Sequence, residues 1–333
     1  MNRAILFSKF IKYEVLDELV RSSLLITSNT PIDIYIDIQS LYKHVLSDNL
    51  LVNDVKVISI NILNMAAHYR HYFKSRYNID TTVYIINNLF NDKQNNIFEQ
   101  LNSKNQDMFQ IIKKIVPYFP LVYYIEKNIY NSTSIILNLI KTQSIPKNHT
   151  AFVISTDIYS YQIPAFIPLS ILLRPSLNPK FITNNNVIDV MYPRKSTKLI
   201  TSDLNPALLP VIMAYHKCPD LGLDMINNFK KTITIIRNKI INNQILNGYN
   251  SPNIFKKESE EIFKRICLCD LIVITKLYES SYEALIQNWT ISKQCDYNTL
   301  ANILDKLFNR DAENLLNYLY LLEVDQKFVD LNK

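Results

Sequence analysis

Four short runs rich in β-branched and aromatic residues recur along the first half of the chain, near residues 33–37, 82–86, 121–125 and 152–156, with helical patterns between them. In the first run Ile34, Ile36 and Ile38 alternate with Asp33, Tyr35 and Asp37, so one face is apolar and the other carries the acids. The others read TVYII, LVYYI and FVIST. Strands alternating with helices at these lengths predict an α/β fold: a mostly parallel central sheet with helices on its faces. The first run delivers Asp37 into the turn before a helix starting at Gln39, and the run FVISTDIYSYQ likewise leads into Asp157. If the two runs are neighbouring strands, both carboxylates meet at the C-terminal edge of the sheet, where open α/β sheets build their sites. The alternative is a pair of unrelated aspartates capping strand-to-helix turns.

Helical segments fill the remainder. A lead-in over residues 1–28 stops before Pro31, a long helix spans Asp54–Tyr77, and a polar helix spans Asn91–Lys114 before Pro117 and Pro120. Residues 132–141, STSIILNLIK, read as a helix with a Ser or Thr cap. The character changes near Pro193, which divides the chain into an α/β domain over residues 1–190 and a helical region over 191–333. In the helical region Asn205-Pro206 opens a helix that stops at Cys218-Pro219, and Gly222 leads into a second helix reaching about residue 246. Further helices are expected at 258–278, 282–289, 299–308 and 311–323.

A chain of 333 residues can bury a sizeable core without disulfides. It contains only two glycines, Gly222 and Gly248, so neither a Walker A loop nor a dinucleotide fingerprint can be written, and no nucleotide cofactor is expected. Cys218, Cys267, Cys269 and Cys295 have no CxxC spacing and read as buried small hydrophobes in a reducing compartment. No apolar run reaches the roughly 18 residues needed to span a bilayer, and Lys9 and Lys12 interrupt the N-terminus too early for a secretory segment. A soluble, cytoplasmic protein follows. The excess of Ile, Asn, Lys and Tyr is what an AT-rich genome encodes, so Tyr-rich patches say nothing about base stacking.

A net charge of +6 permits contact with nucleic acid without demanding it. The candidate phosphate contacts are Arg70, Lys74 and Arg76 in the run HYRHYFKSRY, Arg194, Lys195 and Lys198 in the loop PRKSTK, and Lys230 and Lys231. Solvated helical faces account for the same residues equally simply.

The order of parts resembles the 5′-nuclease superfamily of flap endonucleases and PIN-like domains. IYIDIQSLYKHV resembles its opening strand, metal-binding aspartate and following helix, and FVISTDIYSYQ resembles the later strand that carries two more ligands. LNPALLPVIMAYHKCPDLGLDMINNFKK, near 205–246, sits where the family places a helix-hairpin-helix-like element that grips duplex backbone. The resemblance covers about residues 30–245. It implies metal-dependent phosphodiester hydrolysis, with Mg²⁺ or Mn²⁺ held by carboxylates.

Residue by residue, Asp37 matches the first metal ligand and Asp157 the first acid of the later strand. The second acid of that pair is replaced by Tyr159, the family's Glu-Ala-Asp-Asp element falls on Asn131–Ser134 (NSTS), and its Asp-Gly falls on Asn87-Asn88. Of the hairpin glycines only Gly222 remains. Two carboxylates are too few to hold two metals, so the fold is expected to outlast the chemistry. Three readings follow: a catalytically silent scaffold that binds flap, single-stranded or duplex DNA or a protein partner; an active nuclease using Mg²⁺ or Mn²⁺; and a purely structural protein. An AT-rich, eroded nuclease fold suits a phage-encoded protein, and the structural reading places it in a virion.

Overall fold

The computed structural model describes residues 12–23, 26, 30–38, 40–41, 55–88, 110–119, 121–127, 132–175, 179–187, 190, 270–277, 297–308 and 317. Strands β1 (Ile32–Asp37), β2 (Thr81–Asn88), β3 (Val122–Lys127), β4 (Thr150–Ile154), β5 (Ser170–Arg174) and β6 (Lys180–Ile182) form one sheet in the order β3-β2-β1-β4-β5-β6. The first five are mutually parallel and β6 runs antiparallel to β5. The predicted α/β fold, with its mostly parallel sheet, is therefore the one observed.

The chain winds outward from β1 to β2 and β3, then crosses back to place β4 on the other side of β1. Asp33 pairs with Thr82 on one side and Ala151 on the other, and Ile36 pairs with Ile85 and Ile154. Winding reverses between β1 and β4, and in open α/β sheets the C-terminal ends of the strands at such a reversal are where sites are built.

Alternation along the strands divides the core in two. Ile32, Ile34, Ile36, Val83 and Ile85 face α1 (Tyr13–Ser23) and α2 (Val55–Tyr77), packing with Leu16 and Phe73. Tyr35, Tyr84, Ile86 and Val153 face α3 (Ser132–Leu139), packing with Ile135, Ile136 and Leu139. A short helix, α4 (Gln162–Phe166), follows β4. Two helices from beyond residue 190 join these cores: Leu271 of α5 (Leu271–Leu277) lies in the α3-side cluster, and Leu300 and Leu304 of α6 (Tyr297–Phe308) lie in the α2-side cluster. Asp270 caps α5, accepting from the amides of Ile272 and Val273 at 3.0 and 3.5 Å.

Because both faces are covered, every residue of β1 is buried, its two aspartates included. Strands in that position are usually apolar throughout. Asp33 and Asp37 are the exceptions, and each is satisfied by hydroxyl groups described below.

With so few glycines, other residues take the left-handed backbone positions: Asn78 at φ 53°, Asn148 at φ 57° and Leu121 at φ 57°. Asn78 ends α2 as a left-handed cap, its amide reaching the Lys74 carbonyl at 2.9 Å, and the Ile79 amide reaches the Phe73 carbonyl at 3.2 Å. Leu121 forms the turn before β3, so that strand starts at Val122, one residue later than its apolar run.

Other boundaries shift too. β2 extends to Asn88, and α3 runs on into a π-helical turn, Ile140–Ser144. Strands β5 and β6 lie in a stretch that the sequence pattern left unassigned, because SILLR and KFI are too short to show a period. The expected helix pair near 205–246 and the PRKSTK loop lie outside the described residues, as does most of the expected 91–114 helix. No helix among the described residues is long and apolar enough to cross a membrane.

Candidate functional site

Asp37 is the last residue of β1 and Asp157 follows β4 by three residues, so both reach the C-terminal edge of the sheet at the switch of winding direction. The chain joins them closely. Ser155 donates to Asp37 Oδ2 at 2.9 Å and its hydroxyl oxygen accepts the Asp157 amide at 3.1 Å. The first turn of α3 completes the arrangement: Ser132 donates to Asp37 Oδ2 at 2.9 Å, and its neighbour Thr133 donates to Asp157 Oδ2, also at 2.9 Å.

Ser40 closes the other side. Its amide donates to Asp37 Oδ1 at 3.2 Å, its hydroxyl lies 3.1 Å from that of Ser155, and it accepts the Thr156 amide at 3.0 Å. Thr156 in turn donates to the Ser40 carbonyl at 2.7 Å, tying the segment after β1 to that after β4.

The two acids hold different positions in this hydroxyl-rich cluster. Asp37 is fully buried, and burial pushes its carboxyl above the ordinary value of 3.8 against the pull of the bonds from Ser40, Ser155 and Ser132. Asp157 is partly exposed and caps the 3₁₀ turn Ile158–Tyr161, accepting the Tyr159 amide at 3.2 Å. Tyr159, where the resemblance placed a second acid, contributes its backbone to this cap.

Hard divalent cations take oxygen ligands, with carboxylates supplying the offsetting charge. Among the described residues two acids reach the switch point, and no group of three or more His, Cys, Asp and Glu side chains is placed to hold a metal ion. The Asp37 oxygens are engaged by protein donors, and the neighbouring side chains are neutral hydroxyls. This donor set does not fit a two-metal centre.

The basic run of α2 lies elsewhere. α2 ends at Tyr77 and leads into the start of β2, so Lys74 and Arg76 sit at the N-terminal edge of the sheet. That edge is separated from Asp37 by the length of β1, roughly 20 Å for six residues. Lys74 pairs with Asp80 at 3.1 Å and Arg76 with Asp17 at 3.7 Å. Arg70 is buried, and its desolvation pulls the guanidinium down to about 10, partly opposed by Asp80. The direction of the helix thus sets this run at the edge of the sheet opposite Asp37. Arg194, Lys195, Lys198, Lys230 and Lys231 lie outside the described residues.

A second buried cluster sits near the start of β1. Ser144 donates to Asp33 Oδ2 at 2.7 Å, His149 Nδ1 lies 3.1 Å from the same oxygen, and the Tyr35 hydroxyl lies 2.6 Å from Ser144 Oγ. Burial and the nearby Asp33 charge push the Tyr35 phenol well up. Ser, His and Asp meet here, but the serine hydroxyl bonds to the acid and not to the imidazole. That is the geometry of a satisfied core polar group, not of an activated nucleophile.

Sequence reasoning passed over the hydroxyls that matter most. Ser132 and Thr133 read as a helix cap and Ser155 as a strand residue, because a hydroxyl has no signature of its own until a carboxylate is placed beside it.

The sequence matches no protein-family model and no curated protein. Solved structures similar to the chain include bacteriophage T5 5′-exonuclease with divalent metal ions (zinc) bound, at 12% identity and a TM-score of 0.41, covering 84% of this chain and 99% of that one. Another is bacteriophage T5 flap endonuclease in a pseudo-enzyme–product complex with DNA and metal ions, at 12% identity and a TM-score of 0.42, covering 85% and 99%. The catalytic core of Rad2 in complex with DNA substrate is similar at 10% identity and a TM-score of 0.42, covering 87% and 93%. What the site does follows from its own side chains. The chain is a mostly parallel α/β protein whose switch-point acids, among the described residues, are held by serine and threonine hydroxyls.

Proposed function

We propose that this protein holds the phosphodiester backbone of nucleic acid on a 5′-nuclease-like scaffold without hydrolysing it. One observation carries the reading: Asp37, the match to the first metal ligand, is buried and bonded by Ser132, Ser155 and the Ser40 amide. Hydrolysis by metals that bridge the scissile phosphate needs a set of carboxylates free to coordinate. Hydroxyls stand here in their place, and they satisfy the remaining acid without bringing charge to offset a dication.

The net charge of +6 supports a polyanionic partner. Contact runs through Arg194, Lys195 and Lys198 and through Lys230 and Lys231, and is electrostatic and largely independent of base sequence. Each phosphate neutralised on duplex adds about 0.9 to the slope of log K against log salt, so binding weakens steeply toward physiological salt.

The test incubates the purified protein with flap, single-stranded and duplex DNA, with and without Mn²⁺, and titrates the same substrates by anisotropy at low salt. Salt-sensitive binding without cleavage, weakened by reversing Arg194 and Lys195 to Glu, is the expected result. Mn²⁺-dependent cleavage abolished by Asp37→Asn establishes the active-nuclease alternative. Absence of binding to all three substrates sinks the nucleic-acid reading and leaves a structural or protein-binding role.

A further inference from the structure

The C-terminal edge of the sheet carries a cation pair that the sequence pattern did not single out. Arg174 ends β5 and Lys180 begins β6, and the two are directly opposite in the antiparallel register. Both are exposed at the edge that also holds Asp37 and Asp157. Leu172, two residues before Arg174, and Ile182, two after Lys180, both lie in the α3-side core, so the pair stands on the same face as Asp37.

Like charges directly opposite across a ladder are destabilising. Among the described residues no acid offsets them: neither Arg174 nor Lys180 enters an ion pair there. Arg174 is instead held by an aromatic ring. Its Nη1 donates to the Tyr161 hydroxyl at 2.6 Å, and its guanidinium carbon lies 5.5 Å from the ring centroid. Tyr161 is buried and closes the 3₁₀ turn that Asp157 caps. Arg174 is thereby tied to the acid cluster through one turn of chain.

We infer that Arg174 and Lys180 form a phosphodiester-binding pair at the switch-point edge of the sheet. Two exposed cations in register, one of them oriented by Tyr161, match an anionic oxygen shared between two strands. Arginine in such a position presents a fork of donors to phosphate, and lysine adds a point charge. Arg174 lies two interstrand spacings from β1 and Lys180 three, roughly 10 and 15 Å, on the edge that carries Asp37. The inference rests on the nucleic-acid reading above and assigns it a described surface, in place of the α2 cations.

Anisotropy titrations of labelled single-stranded and duplex DNA, over a range of salt, compare the wild type with Lys180→Glu and Arg174→Gln. Loss of one contact lowers the salt slope by about 0.9 on duplex and about 0.7 on single strands. Lys180→Glu converts a repulsive cross-strand pair into an attractive one, so its melting temperature should rise while its affinity falls. A merely structural role for the pair moves the melting temperature and leaves affinity and slope unchanged, which overturns the inference but not the proposed function. Failure of the wild type itself to bind DNA overturns both. Arg174→Gln, which keeps a donor for Tyr161, guards against misreading a folding defect as a lost contact.

Discussion

The Ser132 hydroxyl donates to Asp37 Oδ2 at 2.9 Å, joining the first turn of α3 to the end of β1 across 95 residues of chain. Ser155 donates to the same oxygen at 2.9 Å. Two neutral donors on one buried carboxylate oxygen describe a group satisfied from within the protein, and several consequences can be measured.

Ser132→Ala and Ser155→Ala each leave a buried acceptor short of a donor. Each is expected to destabilise the protein by about 1–3 kcal/mol in urea unfolding. Because both serines serve one oxygen, the double variant should depart from additivity by at least about 0.5 kcal/mol. Losses no larger than those of ordinary surface substitutions would show that the cluster contributes nothing.

Asp37 has its carboxyl raised in the folded state by burial. The folded protein therefore binds its proton more tightly than the unfolded chain does, and unfolding releases that proton between the two titrations. Stability from this group is fully present below the ordinary value of 3.8 and is lost as pH rises through the elevated folded value. Asp37→Asn removes that dependence. Unfolding free energies of both proteins across the acid range should show the wild type gaining on the variant as pH falls; parallel curves would contradict the sign.

Ser132→Asp places a second acid beside Asp37. In EDTA the variant should melt well below the wild type, because two carboxylates share a buried site. Added Mn²⁺ should raise the melting temperature of the variant through binding to the folded state alone, while the wild type stays where it was. A wild type stabilised by Mn²⁺ as strongly as the variant would mean that the present residues already hold the metal.

Leu121 occupies the left-handed region at φ 57° with an exposed side chain. For a residue with a Cβ that conformation costs roughly 1–2 kcal/mol. Leu121→Gly relieves the clash but loosens the unfolded chain, so a small net stabilisation, up to about 1 kcal/mol, is expected in thermal melts. A loss of more than that amount would place the leucine side chain in a packing role.

Phe152 is fully buried in β4 with its ring centroid 5.6 Å from Tyr69 and 5.4 Å from both Phe73 and Phe181. Phe152→Ala opens a cavity where α2 meets the sheet and should cost about 3–5 kcal/mol. Chemical denaturation reads the effect directly.

Much of this fold is already written in local pattern. The alternation of Ile34, Ile36 and Ile38 with acids, and the apolar runs at 82–86 and 152–156, specify strands through a period that each segment carries alone. Parallel pairing follows from the helices between them, since parallel neighbours need a crossover. Even the meeting of Asp37 and Asp157 follows once β1 and β4 are neighbours, because both acids lie at the end of their strands.

Tertiary structure alone decided what surrounds them. That Ser132, Thr133, Ser155 and Ser40 converge on two carboxylates depends on where α3 returns over the sheet, and no local period encodes that return. The direction of α2 carried Lys74 and Arg76 to the edge opposite Asp37, although their sequence shows only a basic helix end. β5 and β6 set Arg174 against Lys180 through a register visible only after pairing. Periodicity is a property of one segment, whereas a hydrogen bond across 95 residues or a cross-strand charge pair is a property of the packed chain.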